Sequence, residues 1–160
     1  MCFISIKNLK AQSYTFNFAS GINAISNQIN PNQHSLNVNL TNNTTVNLMI
    51  YTTSNSITIK EGVQVLYTNN DVVWPTQTST YPGNKNQLGG RRPNENYWDC
   101  VFRNFNNFCC DAVGCAAVVL APKEVLAGCA IVCGLTTVNH GTITGNSIIS
   151  ITNSNNQRIY

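Results

Sequence analysis

Apolar and polar residues alternate with a period of two through much of residues 1–74. Cys2-Ile4-Ile6 point one way with Ser5 and Lys7 the other, and Tyr14-Phe16-Phe18 alternate with Thr15 and Asn17. Leu36-Val38-Leu40 alternate with Asn37 and Asn39, and Val46-Leu48-Ile50 with Asn47 and Met49. Successive side chains of a strand leave opposite faces, so each run predicts a strand with one buried face. Two hairpins follow. Ile57-Thr58-Ile59 turns at Lys60-Glu61-Gly62 into Val63-Gln64-Val65, and Leu66-Tyr67 turns at Asn69-Asn70-Asp71 into Val72-Val73-Trp74. Turns this short can join only antiparallel strands.

The alternation stops at Pro75. Pro82-Gly83, Gly89-Gly90 and Pro93 punctuate an apolar-poor loop over 75–96, longer than compact domains usually carry without a reason. Beyond it the period changes. Val101, Phe105, Phe108, Ala112, Cys115 and Val119 recur at spacings of three or four, the mark of one apolar helical stripe. Asn96 or Asp99 can cap its start. Pro122 suits the first turn of a second helix and Gly134 its stop. A final pair of strands is expected at Ile148 to Thr152 and Arg158 to Tyr160, around a turn at Asn153 to Asn156. The sequence thus predicts a single domain over 1–160: strands in 1–74, a loop in 75–96, a helical hairpin in 97–135 and closing strands in 136–160. The fold class expected is mainly β, an antiparallel, jelly-roll-like β-sandwich with an inserted Cys-rich helical hairpin.

Six of the seven cysteines lie between Cys100 and Cys133. Pro122 stands midway between Cys115 and Cys129, and Cys133 falls opposite the Cys109-Cys110 pair. Antiparallel helices folded at Pro122 would therefore bring Cys115 to Cys129, closing a loop worth about 3 kcal/mol by chain-entropy reasoning. Cys100, Cys109, Cys110, Cys115, Cys129 and Cys133 are the disulfide candidates. A thiolate metal site at Cys110, Cys115, Cys129 and Cys133 is a lesser alternative, because the spacings are not those of zinc knuckles. The odd count leaves one thiol over, and Cys2 is the candidate for an inter-chain bond. So many cysteines favour an oxidising compartment, extracellular or at the cell surface. Met1 to Leu9 is too short for a secretory signal, leaving the export route undefined.

Charged residues are only 9% of the 160, with a net charge of +3 and Arg91-Arg92 as the sole adjacent basic pair. Nucleic-acid binding needs several cations on one surface and is not expected. The apolar run 112–135 is broken by Pro122-Lys123-Glu124, and its second half is too short to span a bilayer.

No catalytic pattern stands out. His34 and His140 are the only imidazoles, both distant in sequence from most cysteines, and the six carboxylates show no paired spacing. Neither an enzyme activity nor a cofactor or metal is expected. Trp74, Tyr81, Tyr97 and Trp98 flank the long loop and could stack against a sugar or lipid headgroup. Tyr97-Trp98-Asp99-Cys100 resembles a tetrapeptide of the aegerolysins, small β-sandwich proteins that bind membrane lipids. The Pro-Trp-Gly that usually follows there is replaced here by Val101-Phe102-Arg103, so the resemblance covers four residues and transfers no function. The Cys-containing apolar segment is also loosely similar to disulfide-bonded helical bacteriocins. The leading expectation is a non-enzymatic, self-assembling subunit of a fibre, sheath or coat, a homo-oligomer or polymer. The alternatives are a membrane-active, bacteriocin-like toxin and a carbohydrate- or lipid-binding module.

Overall fold

In a computed structural model of the chain, residues 12–75 and 81–160 are described. The expected strand at Cys2-Ile4-Ile6 and the Cys2 thiol lie outside them. Six strands run as an up-and-down meander: β1 (Ser13–Phe18), β2 (Asn23–Asn30), β3 (Gln33–Asn39), β4 (Thr45–Thr52), β5 (Ile57–Glu61) and β6 (Gln64–Asn69). Three helices follow, α1 (Tyr97–Asn107), α2 (Ala112–Leu120) and α3 (Pro122–Val132). A two-stranded ribbon, β7 (Leu135–Thr136) with β8 (Thr142–Ile143), leads to β9 (Ile148–Asn153), which pairs antiparallel with β1. The seven-stranded sheet has the order β6-β5-β4-β3-β2-β1-β9.

The fold is mainly β and antiparallel, with the cysteine-rich helices inserted before the last strand. Its layering departs from a jelly roll: helices, with the small ribbon, take the place of the second sheet. Val72-Val73-Trp74 is not a strand; Val72 turns inward and its N–H donates to the Asn55 carbonyl at 2.9 Å.

Strand register explains the core. Tyr14, Ser26, Leu36 and Leu48 stand opposite one another across β1 to β4, and the next row is Phe16, Ala24, Val38 and Val46. All eight are buried. Ala24 and Ser26 are the small members of these rows, and α3 packs on the same face of the sheet. Gly128 lets the helix approach so closely that a Cβ there would sit 2.9 Å from the Phe16 ring. From Glu124 to Val132 every residue of α3 is buried, as expected of a helix apolar on all sides.

The opposite face of the sheet is polar and laddered by side-chain hydrogen bonds. Asn17 donates to Ser150 at 3.1 Å, Asn39 to Asn23 at 2.8 Å, and Thr45 to Asn39 at 2.9 Å, forming one row across five strands. Of the Asp, Glu, Lys and Arg residues, only Lys60 and Glu61 occur in the seven strands.

The expected first helix is broken in two. Asn96 caps α1 by accepting from the Trp98 N–H at 2.9 Å, and Asp111 caps α2 by accepting from Gly114 at 2.9 Å. Gly114 is needed at this corner, since a Cβ would fall on the Phe108 carbonyl. Between α2 and α3 the chain bends by 111° instead of reversing. Pro122 is the first residue of α3, where its missing N–H costs nothing.

Candidate functional site

The corner and the bend decide which sulfurs meet. Cys100 on α1 bonds to Cys133 at the end of α3, with Cα atoms 5.9 Å apart, and Cys109 bonds to Cys115 across the α1–α2 corner. The expected Cys115–Cys129 pair does not form, because α2 leaves α3 at an open angle and the corner holds Cys115 against Cys109. Cys129 is a fully buried thiol on α3, and burial pushes its pKa up out of reach of neutral pH. Cys110 is a half-buried free thiol. The four-thiolate alternative is thereby divided, with Cys115 and Cys133 in separate disulfides. Among the described residues no three His, Cys, Asp or Glu side chains cluster to hold a metal ion. Two disulfides mark a protein matured under oxidising conditions.

The long loop is fastened onto α1 by three polar side chains of that helix, Arg103, Asn104 and Asn107. Arg103 is the hub. Its guanidinium meets both oxygens of Glu95 at 2.8 Å and also donates to the carbonyls of Gln87 and Gly90. The hydrogen bond from Arg103, with a further one from the Arg92 N–H, holds the Glu95 carboxyl at about 2. Asn104 mimics a backbone pairing partner, accepting from the Gly89 N–H and donating to its carbonyl, both at 2.8 Å. Asn107 accepts from Asn84 N–H at 2.9 Å. Loop 82–96 is therefore a built part of the helical layer.

A second polar cluster lies under α3. His34 projects inward from β3 and is 3% exposed, with its Nδ1 3.8 Å from Glu124 and neither ring nitrogen hydrogen-bonded. Burial, with Lys123 nearby, holds its pKa at about 4, so the pair is no ion pair at neutral pH. Burial also raises Glu124, and Tyr14 is raised by burial and by Glu124. Lys123 reaches across to the Pro31 carbonyl and to Asn32 Oδ1. His34 faces a carboxylate rather than a thiol, and His140 lies on an exposed turn where its N–H donates to Thr137 Oγ1.

The aromatic candidates are largely absorbed into packing. Tyr97 is buried; it stacks on Tyr67 at 4.3 Å, and its hydroxyl donates to the Ala130 carbonyl at 2.7 Å, tying α1 to α3. Trp74 donates to the Thr53 carbonyl at 2.8 Å and meets Phe105 edge-on. Tyr81 is 58% exposed. Trp98 is half-buried: it meets Tyr67 edge-on at 6.2 Å and has Phe102 one turn along α1 at 5.8 Å.

That contact leads to a surface the sequence reading did not single out. Among the described residues no strand pairs with the outer side of β6, the terminal strand of the sheet. The opposite margin is covered: Ile159 N–H donates to the Ile151 carbonyl at 2.8 Å, Ile151 N–H to the Tyr160 carbonyl at 3.2 Å, and Tyr160 packs its ring on Phe108. β6 carries no charge or proline, two of the usual protections of an exposed edge, and its one irregularity is a register shift against β5 between Val65 and Tyr67. Its signal was present in the sequence as Gln64-Val65-Leu66-Tyr67-Thr68-Asn69, but neighbours in space decide which strand is left over. The helical layer has an exposed apolar face as well. On α2, Val113, Val119 and Leu120 are 52%, 38% and 60% exposed. No single helix among the described residues is long and apolar enough to cross a membrane; α2 and α3 qualify only as a bent pair. No protein-family model, curated protein or solved structure matches this chain.

Proposed function

We propose that this protein is a non-enzymatic structural subunit that self-associates into an extracellular or surface assembly. The observation that carries the reading is a nearly uncharged sheet with one margin, along β6, that no strand pairs with among the described residues. Bringing two such surfaces together desolvates few ions and sets few like charges against each other, while unpaired backbone groups gain partners. The ordered Asn/Thr/Ser rows hold the outer face in a fixed shape, which suits repeated contacts. Two disulfides fit service outside the cell. Light scattering coupled to size exclusion, with negative-stain microscopy under non-reducing conditions, tests this. Oligomers are expected, and a monomer at every concentration overturns the reading. Because so few charges take part, the association constant should change by no more than about threefold from low to high salt.

A second reading rests on the apolar outer face of α2, which would meet lipid in a membrane-active protein. Phe105 and Phe108 are already buried, so they would reach lipid only if the layer opened. Dye release from liposomes with and without reductant tests it, and no leakage in either condition removes it.

A further inference from the structure

We propose that β6 pairs antiparallel with β6 of a second copy across a two-fold axis, continuing one sheet through both chains. This names the contact underlying the structural-subunit reading and rests on it. Three observations select a second copy as the occupant. First, the segment Gln64–Asn69 contains no charged residue, so a two-fold axis places no like charges opposite each other, and no charged ligand is asked for. Second, an inverted copy of β6 presents the same uncharged, proline-free outer edge, so one surface can serve both sides of the contact. A closed two-fold interface needs one surface only, used twice. Third, among the described residues this margin is open and the other is not, because Arg158 to Tyr160 lie along β9, with Arg158 bridging to Thr152. A head-to-tail contact would need both margins open.

The neighbourhood supplies what backbone pairing alone lacks. Trp98 lies against Tyr67 and Phe102 against Trp98, and both are partly exposed. An incoming strand covers this aromatic shelf on the helical side, while Val65, 46% exposed, is covered on the opposite face. Main-chain bonds then set direction and register, and the rings contribute apolar area.

The test uses the full chain, wild type and Val65→Lys, with Leu120→Lys on α2 as the comparison. The wild type is expected to run as a dimer that survives reductant, which separates edge pairing from a thiol link through Cys110 or Cys2. Val65→Lys, at an exposed position that leaves the core untouched, should weaken the dimer about tenfold or more, while Leu120→Lys should not. Amide exchange provides a measure independent of any variant. Protection at Gln64–Asn69 should rise about tenfold from dilute to concentrated protein and stay constant elsewhere in the sheet. Association that persists in Val65→Lys, or exchange at β6 that ignores concentration, overturns the edge pairing and leaves the subunit reading standing. A wild type that stays monomeric overturns both.

Discussion

His34 is buried without a partner for either ring nitrogen, and that fixes how the protein responds to acid. Its imidazole is held near 4 in the folded chain and titrates near 6.5 when unfolded. The folded state therefore binds the proton less readily. Stability from this group is complete above pH 6.5 and is lost as pH falls from there towards 4. At pH 5 the loss is about 2 kcal/mol. Glu124 acts in the opposite sense, since its raised pKa makes protonation favour the folded state. Comparison with His34→Gln isolates the imidazole: the difference in unfolding free energy between pH 8 and pH 5, measured with denaturant, should narrow by about 2 kcal/mol in the variant. An unchanged difference would mean that the ring is solvated in solution. Cys129 gives a simpler expectation. Its thiol should resist alkylation in the native protein and react only on unfolding, whereas Cys110 should react at once.

At the level of elements, helix α3 is held from two sides, by the sheet beneath it and by the Cys100–Cys133 bond to α1. That bond closes a 33-residue separation, for which chain-entropy reasoning gives about 4 kcal/mol, against roughly 2 kcal/mol for the short Cys109–Cys115 loop. Cys100→Ser with Cys133→Ser should accordingly lower unfolding free energy more than Cys109→Ser with Cys115→Ser. A reversed order would show that the corner, not the α1–α3 contact, carries the layer. The loop clamp makes its own prediction. Arg103→Ala removes the hub beneath 87–95 and should expose Arg91 to trypsin while the sheet stays folded. In the wild type the clamp's contribution is complete above pH 4.5 and is lost as pH falls from there towards about 2, where Glu95 takes up its proton in the folded chain, so cleavage of this loop by pepsin, which works in acid, should rise over that range.

The elements also show what a sequence can and cannot disclose. β1, β3, β4 and β5 announced themselves through large residues on alternate positions. β2 did not, because its inward positions are Ala24 and Ser26 while its bulky Ile25 and Ile29 face away. Closeness of α3 reverses the usual contrast there. The helical stripe from Val101 to Val119 concealed a break, since Asp111 and Gly114 read equally well as interior residues until Asp111 is seen capping. Cysteine spacing about Pro122 suggested a symmetric hairpin, but spacing fixes a pairing only when the angle between helices is known. A bend of 111° gave a different one.

For the whole molecule, the candidate surface arises from what the meander leaves uncovered. Strand order follows from short turns and was legible; which terminal strand would stay open was not, because that depends on β9 returning to lie beside β1. The polar outer face could be read from Asn, Thr and Ser at alternate positions, yet its hydrogen-bonded rows needed the register. Of the four aromatics named in advance, Tyr97 and Trp98 both lie against Tyr67 of the open strand, Tyr97 buried and Trp98 partly exposed. The closure of the other margin is slight: three residues, three backbone bonds to Ile151, and the Tyr160 ring on Phe108. Deleting Arg158 to Tyr160 would leave β9 as bare as β6. Pairs would then have no built-in stopping point, and electron micrographs should show ribbons of indefinite length where the intact chain gives compact particles.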